Sequence, residues 1–273
     1  MKYIIAIDLD GTLLNDNAKL STTTIDYVKS LDKKKYKVIL STGRPYQAMI
    51  QYYNQLGLDT LAICSSGTSI VSPNDPTFKS IEFPLDKEMF LNFFKLTKHL
   101  VDTAIYNAVG KCFIYNNKAD SALLKHMEKN TSIIEGPFDE TYISSPNGLL
   151  VIIKDNKEDE FRNIVEGFAV LSCRDWKDFY GYHLFEVYQK RHNKATSLES
   201  VLKLYNAKKE NLICIGDSVN DYEMLELANI SVAMTNGREA IKKCAKYVTK
   251  YDNNNDGVIR FLDDFLNTKN GLN

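Results

Sequence analysis

Apolar residues in this chain come either as short unbroken runs or as helically spaced stripes. Tyr3-Ile4-Ile5-Ala6-Ile7 is an unbroken run and reads as a strand buried on both faces. Val38-Ile39-Leu40, Leu61-Ala62-Ile63-Cys64 and Leu212-Ile213-Cys214-Ile215 repeat it. Behind a cluster of N-cap residues, Ser21 to Thr24, the residues Ile25, Val28 and Leu31 mark one face of a helix. A second helix is expected over 46–56, stopped by Gly57. Strand-helix-strand-helix-strand implies a parallel sheet with crossover helices. A hairpin is expected over 68–83, turning through Pro73-Asn74-Asp75-Pro76.

From 84 to 188 the pattern changes. It predicts an amphipathic helix over 84–101 carrying Phe90, Phe93 and Phe94, then strands 103–109 and 112–115 around Gly110-Lys111. A helix over 121–129, a strand over 148–154 and a helix over 158–168 follow. Two short strands, 169–172 and 183–188, are expected on either side of a polar and aromatic segment, Cys173 to Tyr182. Hairpins mixed with helices describe an inserted α+β domain. The first pattern then returns, with helices over 195–205, 222–228, 238–245 and 258–266 and strands over 212–215, 230–233 and 247–249. The expected fold class is α/β: a Rossmann-like parallel-sheet core in two segments, 1–83 and 189–273, interrupted by the α+β domain at 84–188.

Composition narrows the function classes. The 273 residues are 44% hydrophobic and 25% charged, enough to bury a core without disulfides or structural metal. Net charge is −1, from 34 basic and 35 acidic residues, so no basic field points to nucleic acid. The five cysteines contain no Cys-x-x-Cys pair, which argues against zinc and against a redox couple. No apolar run approaches the ~20 residues of a membrane span, and the chain enters a strand without a signal-peptide pattern. The expectation is a cytoplasmic protein with no membrane attachment, and nothing implies a protein partner.

Chemistry gathers at the strand ends. Asp8 and Asp10 close the first strand, Thr42 the second, and Asp217 with Asp221 the strand at 212–215. Taken alone, Asp-x-Asp-Gly after a strand is equally a polar turn. In a parallel sheet, however, these ends share one edge, where open α/β sheets bind ligands. Four carboxylates meeting there would repel, and some would stay protonated at neutral pH. A hard divalent cation resolves that conflict, and Mg²⁺ suits carboxylates combined with water and a substrate phosphate. Thr42 and Gly43, taken to stand at a helix N-terminus, offer donors to an anion. Lys194, just ahead of another helix, would bring a cation; its alternative is a solvated lysine beside Lys190 and Arg191. Metal, lysine and N–H donors around carboxylates compose a phosphoryl-transfer site.

Asp8-Leu9-Asp10-Gly11-Thr12, Thr42-Gly43-Arg44, Lys194 and Gly216-Asp217-x-x-Asn220-Asp221 resemble the four motifs of the haloacid dehalogenase (HAD) superfamily. The late insertion resembles the type IIB cap domain of its Cof-like phosphatases, as do Ala233-Met234-Thr235-Asn236-Gly237 and Asp256-Gly257-Val258. The resemblance implies a phosphatase acting on a small phosphorylated metabolite. Asp8 would be the nucleophile and Asp10 the general acid and base. Asp8, Asp10 through its carbonyl, Asp217 and Asp221 would bind Mg²⁺. Thr42, Gly43, Lys194 and Asn220 would hold the phosphoryl oxygens. A phosphomutase and a non-catalytic phosphate- or metal-responsive regulator are the competing classes; Asp10 argues for turnover, since an acceptor domain needs no second acid. Two departures stand out: Ser66-Gly67 replaces the family's Asn-Gly, and Lys194-Ala195 its Lys-Gly.

Asp252-x-Asn254-x-Asp256-Gly257 nearly fits a calcium loop, but an apolar strand pattern precedes it, so a polar turn capping the last helix is expected. His183 and His192 have no third ligand near them in sequence and read as surface or packing residues. Trp176, Phe179, Tyr180 and Tyr182 would line a substrate face or fill the inserted domain's core.

Overall fold

The computed structural model describes residues 1–108, 111–116, 123, 132–140, 145–179 and 182–270. The chain divides into two compact units, Met1–Ile81 with Asn193–Asn273, and Glu82–His192. In order come β1 (Tyr3–Ile7), α1 (Thr22–Ser30), β2 (Tyr36–Leu40), α2 (Tyr46–Gln55), β3 (Ala62–Cys64), β4 (Ser69–Val71) and β5 (Ile81–Glu82). The inserted unit contributes α3 (Lys87–Thr97), β6 (Val101–Ala108), β7 (Lys111–Tyr115), β8 (Ile133–Glu135), β9 (Leu149–Ile153), α4 (Glu158–Glu166), β10 (Leu171–Phe179) and β11 (Tyr182–Gln189). The chain closes with α5 (Lys194–Leu204), β12 (Leu212–Gly216), α6 (Tyr222–Leu227), β13 (Ile230–Ala233), α7 (Glu239–Cys244), β14 (Tyr247–Val248) and α8 (Gly257–Asn270).

The first unit is built on a five-stranded sheet in the order β14-β13-β12-β1-β2, parallel throughout. β1 holds the centre, with Ile5 paired to Ile213 on one side and Val38 on the other. Val28, Met49, Tyr53 and Leu262, from α1, α2 and α8, pack with Ile5, Ile7, Val38 and Ile213. The alternate residues Ile4, Ala6 and Cys214 are fully buried too, so both faces are covered. That is why these strands read as unbroken apolar runs. Each buried isoleucine contributes about 1.5–3 kcal/mol, so the residue leaving β1 starts from the best-braced point of the sheet.

The third run does not extend the parallel sheet as expected. A single parallel bridge joins Ser41 to Ile63, and Thr42 N–H donates to Ile63 O at 2.9 Å. β3 then pairs antiparallel with β4 in a separate sheet ordered β3-β4-β5. The run is too short to serve both partners, and the hairpin after it takes its hydrogen bonds.

The inserted unit is a six-stranded sheet, β10-β11-β9-β6-β7-β8. An aromatic core of Phe90, Phe93, Phe94, Tyr106, Phe161 and Phe185 joins it to α3 and α4. Where a polar segment was expected at 173–182, β10 runs on to Phe179 and pairs with β11, with an irregularity between Asp175 and Asp178. Charge hid this strand: Arg174 is partnered across the hairpin, and Asp175 by Arg162 of α4. Arg174 faces Glu186 at 3.6 Å and lies over the Tyr188 ring at 3.9 Å. Trp176 packs against Ile105, Ile152 and Leu184, while Phe179 and Tyr180 lie outside the residues whose side chains are described. The helix expected over 121–129 also lies outside the described residues, apart from Leu123. His192 stacks on Phe83 at 4.2 Å, and His183 lies 3.7 Å from Glu158. Among the described residues, no helix is long and apolar enough to cross a membrane.

Candidate active site

Because β2, β1 and β12 are parallel neighbours, their carboxyl ends lie side by side. Asp8 follows β1 and prolongs the ladder, its N–H donating to Ile215 O at 3.0 Å. The side chain is buried. The backbone then doubles back through Leu9–Leu13, with Leu14 N–H on Leu9 O at 2.8 Å. Gly11 sits at φ +72°, and a Cβ there would lie 2.6 Å from Asp217 Oδ2. Conformation and space both close the position to a side chain. The turn separates the two acids: Asp8 is buried, whereas the Asp10 side chain is 55% exposed. Arg44 forks Asp10, Nε donating to Oδ2 at 2.8 Å and Nη2 to Oδ1 at 2.6 Å, with the Tyr52 ring 5.2 Å from the guanidinium.

Lys194 opens α5, where Asn193 and Thr196 form a capping box. It is wholly buried, which rules out a solvated lysine. Its Nζ donates to Asp8 Oδ1 and to Asp221 Oδ1, each at 2.6 Å. Burial would lower the lysine pKa, but Asp221 and Asp8 outweigh it and raise it. Asp221 Oδ2 accepts the N–H groups of Asp217 and Ser218, each at 3.0 Å. A Cβ on Gly216 would lie 2.4 Å from the Asp221 carboxyl carbon, so glycine is what lets that acid fold beneath the strand end. Thr12 Oγ1 donates to Asp217 Oδ1 at 2.8 Å.

One oxygen from each of Asp8, Asp217 and Asp221 falls within 4.8 Å of the others. Burial pushes the Asp8 carboxyl well above its usual range; Lys194 opposes this, and Asp221, Asp217 and Asp10 add to it. Burial, then Asp221, pushes Asp217 up to about 7. One ammonium does not balance this many acids. An all-oxygen donor set this close together fits a hard divalent cation, whose charge would return Asp8 and Asp217 to the ionised form.

Thr42 is buried, and its Oγ1 accepts Arg44 N–H at 3.1 Å. α2 starts at Tyr46, as expected, and Thr42 and Gly43 lie in the segment leading into it. Pro45 occupies the N-cap and biases Arg44 before it toward extended backbone. Gly43 is exposed, and a Cβ on it would lie 3.3 Å from Asn220 Nδ2 and 3.4 Å from Ser66 Oγ. Asp8, Asp10, Thr42, Gly43, Lys194, Asp217, Asn220 and Asp221 thus all come from three adjacent strand ends and the start of α5.

A family model of haloacid dehalogenase-like hydrolases matches residues 5–262, from β1 into α8. The chain belongs to this family. Like other haloacid dehalogenase-like chains it has curated relatives over nearly its whole length. The 5-amino-6-(5-phospho-D-ribitylamino)uracil phosphatase YitU of Bacillus subtilis is 30% identical, covering 97% of this chain and 97% of that protein. The pyridoxal phosphate phosphatase YbhA of Escherichia coli is 26% identical, covering 96% and 98%. This haloacid dehalogenase-like chain is a phosphatase, as those relatives are. The fold matches a haloacid dehalogenase-like hydrolase from Bacteroides thetaiotaomicron with a TM-score of 0.82, at 22% identity and over 97% of this chain and 100% of that one.

Two residues of this haloacid dehalogenase-like site, Arg44 and Asn236, have roles that only the fold reveals. Arg44 sits in the quoted Thr42-Gly43-Arg44, but only the fold brings Asp10 within reach. Asn236 donates to Gly11 O at 2.8 Å from 225 residues away, and its one sequence signal was the likeness of 233–237 to the Cof-like chains.

Proposed function

We propose that the protein is a Mg²⁺-dependent phosphomonoester hydrolase that works through an aspartyl-phosphate on Asp8. The observation that carries this is the buried Lys194 ammonium shared at 2.6 Å by Asp8 and Asp221, beside Asp217. Charge-assisted bonds of that length aim Asp8, and a cation beside it would favour its ionised form. Asp8 attacks phosphorus, the bond from phosphorus to the alcohol oxygen breaks, and Asp10 gives that oxygen its proton. Asp10 next takes a proton from water, whose oxygen attacks the same phosphorus, releasing Asp8 and inorganic phosphate. Thr42, Gly43, Lys194 and Asn220 hold the phosphoryl oxygens through hydroxyl, N–H, ammonium and amide donors. Mg²⁺, held by Asp8, the Asp10 carbonyl, Asp217 and Asp221, would neutralise phosphoryl charge as a Lewis acid. Asp221 has the fewest lone pairs to spare for it, since its oxygens already accept from Lys194, Asp217 and Ser218.

The substrate is a small phosphorylated metabolite. The names of the B. subtilis and E. coli relatives make a ribitylaminouracil phosphate and pyridoxal phosphate the first compounds to assay. Asp8→Asn is expected to abolish turnover of p-nitrophenyl phosphate while the circular dichroism spectrum stays that of the folded protein. Full activity in that variant would remove Asp8 from the mechanism.

A further inference from the structure

Three consecutive residues after β3 hold positive φ: Ser65 at +49°, Ser66 at +54° and Gly67 at +102°. Serine in this region is strained, and such strain persists where the surroundings over-determine it, most often at functional sites. Here they do. Ser65 N–H donates to Arg44 O at 2.9 Å and Ser66 N–H to Thr42 O at 3.0 Å. Ser197 Oγ donates to Gly67 O at 2.5 Å. A Cβ on Gly67 would lie 2.1 Å from the Asn193 carbonyl carbon, so the turn is wedged against the start of α5. It is pinned on one side by the segment carrying Thr42 and Gly43 and on the other by the helix carrying Lys194.

This bracing delivers one polar atom with no protein partner. Ser66 is 2% exposed, yet its Oγ makes no hydrogen bond. A buried hydroxyl left unpaired is costly and asks for a reason. The space where a Cβ on Gly43 would sit is flanked by Ser66 Oγ at 3.4 Å and Asn220 Nδ2 at 3.3 Å. Because residue 43 is glycine, a ligand can approach its backbone there. A hydroxyl and a carboxamide flanking one exposed glycine are the donor types of an oxyanion cradle.

We infer that Ser66 is a phosphate-binding residue, its hydroxyl donating to a phosphoryl oxygen lodged at Gly43 between Ser66 and Asn220. This rests on the phosphatase reading of the site. It concerns a residue at which the chain departs from its family, since the Asn-Gly of the resemblance is Ser-Gly here. It gives the strained turn a purpose: the left-handed backbone aims Ser66 at the opening.

The decisive variant is Ser66→Gly. Glycine takes φ +54° freely, so the fold should be retained and the melting temperature equal or exceed that of wild type. If the hydroxyl holds phosphate, kcat/KM for p-nitrophenyl phosphate falls about 10- to 100-fold, the size expected for one hydrogen bond to a charged group. Inorganic phosphate, measured by calorimetry in the presence of Mg²⁺, weakens by a similar factor. Ser66→Asn, which also tolerates positive φ and supplies an N–H donor, recovers part of both losses. Unchanged kinetics and phosphate affinity in a folded Ser66→Gly protein would refute the assignment. Phosphate calorimetry reads Ser66 whether or not turnover occurs. Wild-type inactivity, or an active Asp8→Asn, would instead strike the phosphatase reading.

Discussion

At the scale of single residues, the bond between Arg44 and Asp10 has a consequence for the chemistry. Both Asp10 oxygens are occupied by one guanidinium, although the carboxylate is largely exposed. In the proposed mechanism the leaving alcohol takes its proton from this carboxyl, so Arg44 would set where Asp10 waits. Arg44→Ala should therefore slow substrates according to their need for a proton. An alkyl phosphate should lose about tenfold or more in kcat, part of the 10²–10⁴ that general acid catalysis contributes. The p-nitrophenyl ester, whose phenolate leaves unprotonated, should lose far less. Equal losses on both esters would mean that Arg44 does something other than place Asp10. Stability should change by less than about 1 kcal/mol, because Asp10 keeps its water.

Among the elements, the segment that nearly fits a calcium loop turns out to brace the catalytic turn. Asp256 Oδ1 accepts from Ser21 Oγ at 2.5 Å and from Thr24 Oγ1 at 3.2 Å, and Asp252 Oδ1 accepts from Asn255 at 2.8 Å. These acids face protein donors, as a polar turn ahead of the last helix requires. Asn253 goes further. Buried, it donates from Nδ2 to Leu14 O at 3.0 Å and Asp16 Oδ1 at 2.9 Å, and from its N–H to Asn236 Oδ1 at 3.2 Å. Asn236 in turn holds Gly11 O. The stretch 11–16 is thus tied to the far end of the chain at three points. Asn253→Ala leaves Leu14 O buried without its partner, which costs about 1–3 kcal/mol and lowers the melting temperature by several degrees. With the turn loosened, kcat should fall while KM holds; an unaltered kcat in the destabilised protein would separate the brace from catalysis. None of this was legible in sequence, because amide contacts across more than 200 residues leave no periodicity. β1, β2 and β12 were legible because two buried faces demand unbroken apolar runs, and β10 was not, because Arg174 and Asp175 find their partners only in the fold. The site follows the same division. Asp8, Thr42 and Asp217 announce themselves as polar residues closing apolar strands, whereas Ser66 acquires meaning only through a backbone twist beside Gly43.

For the molecule as a whole, the acids at one sheet edge link folding, protons and metal. Burial and Asp221 push Asp217 up to about 7 in the folded chain, against 3.8 for an unperturbed aspartate. Without a cation, the folded protein therefore holds more protons than the unfolded one between those values. The stability this group contributes is fully present below about 3.8 and is lost as pH rises through about 7. Asp8, also raised by burial, acts in the same direction. A divalent cation competes with those protons, so its stabilisation should be weak at pH 5 and strong at pH 8. Asp217→Asn isolates the effect, because its amide is as uncharged as the protonated acid. In chelator, variant and wild type should differ less in melting temperature at pH 5 than at pH 8. At pH 8 the variant should melt several degrees higher, because wild type then buries an uncompensated carboxylate. With Mg²⁺ at pH 8 the order should reverse if Asp217 is a ligand as proposed, since only wild type keeps the full set of anionic oxygens. A gap between the two proteins that ignores both pH and Mg²⁺ would mean that Asp217 carries neither the proton nor the metal, and the charge balance drawn for this edge would have to be redrawn around Lys194 and Asp221.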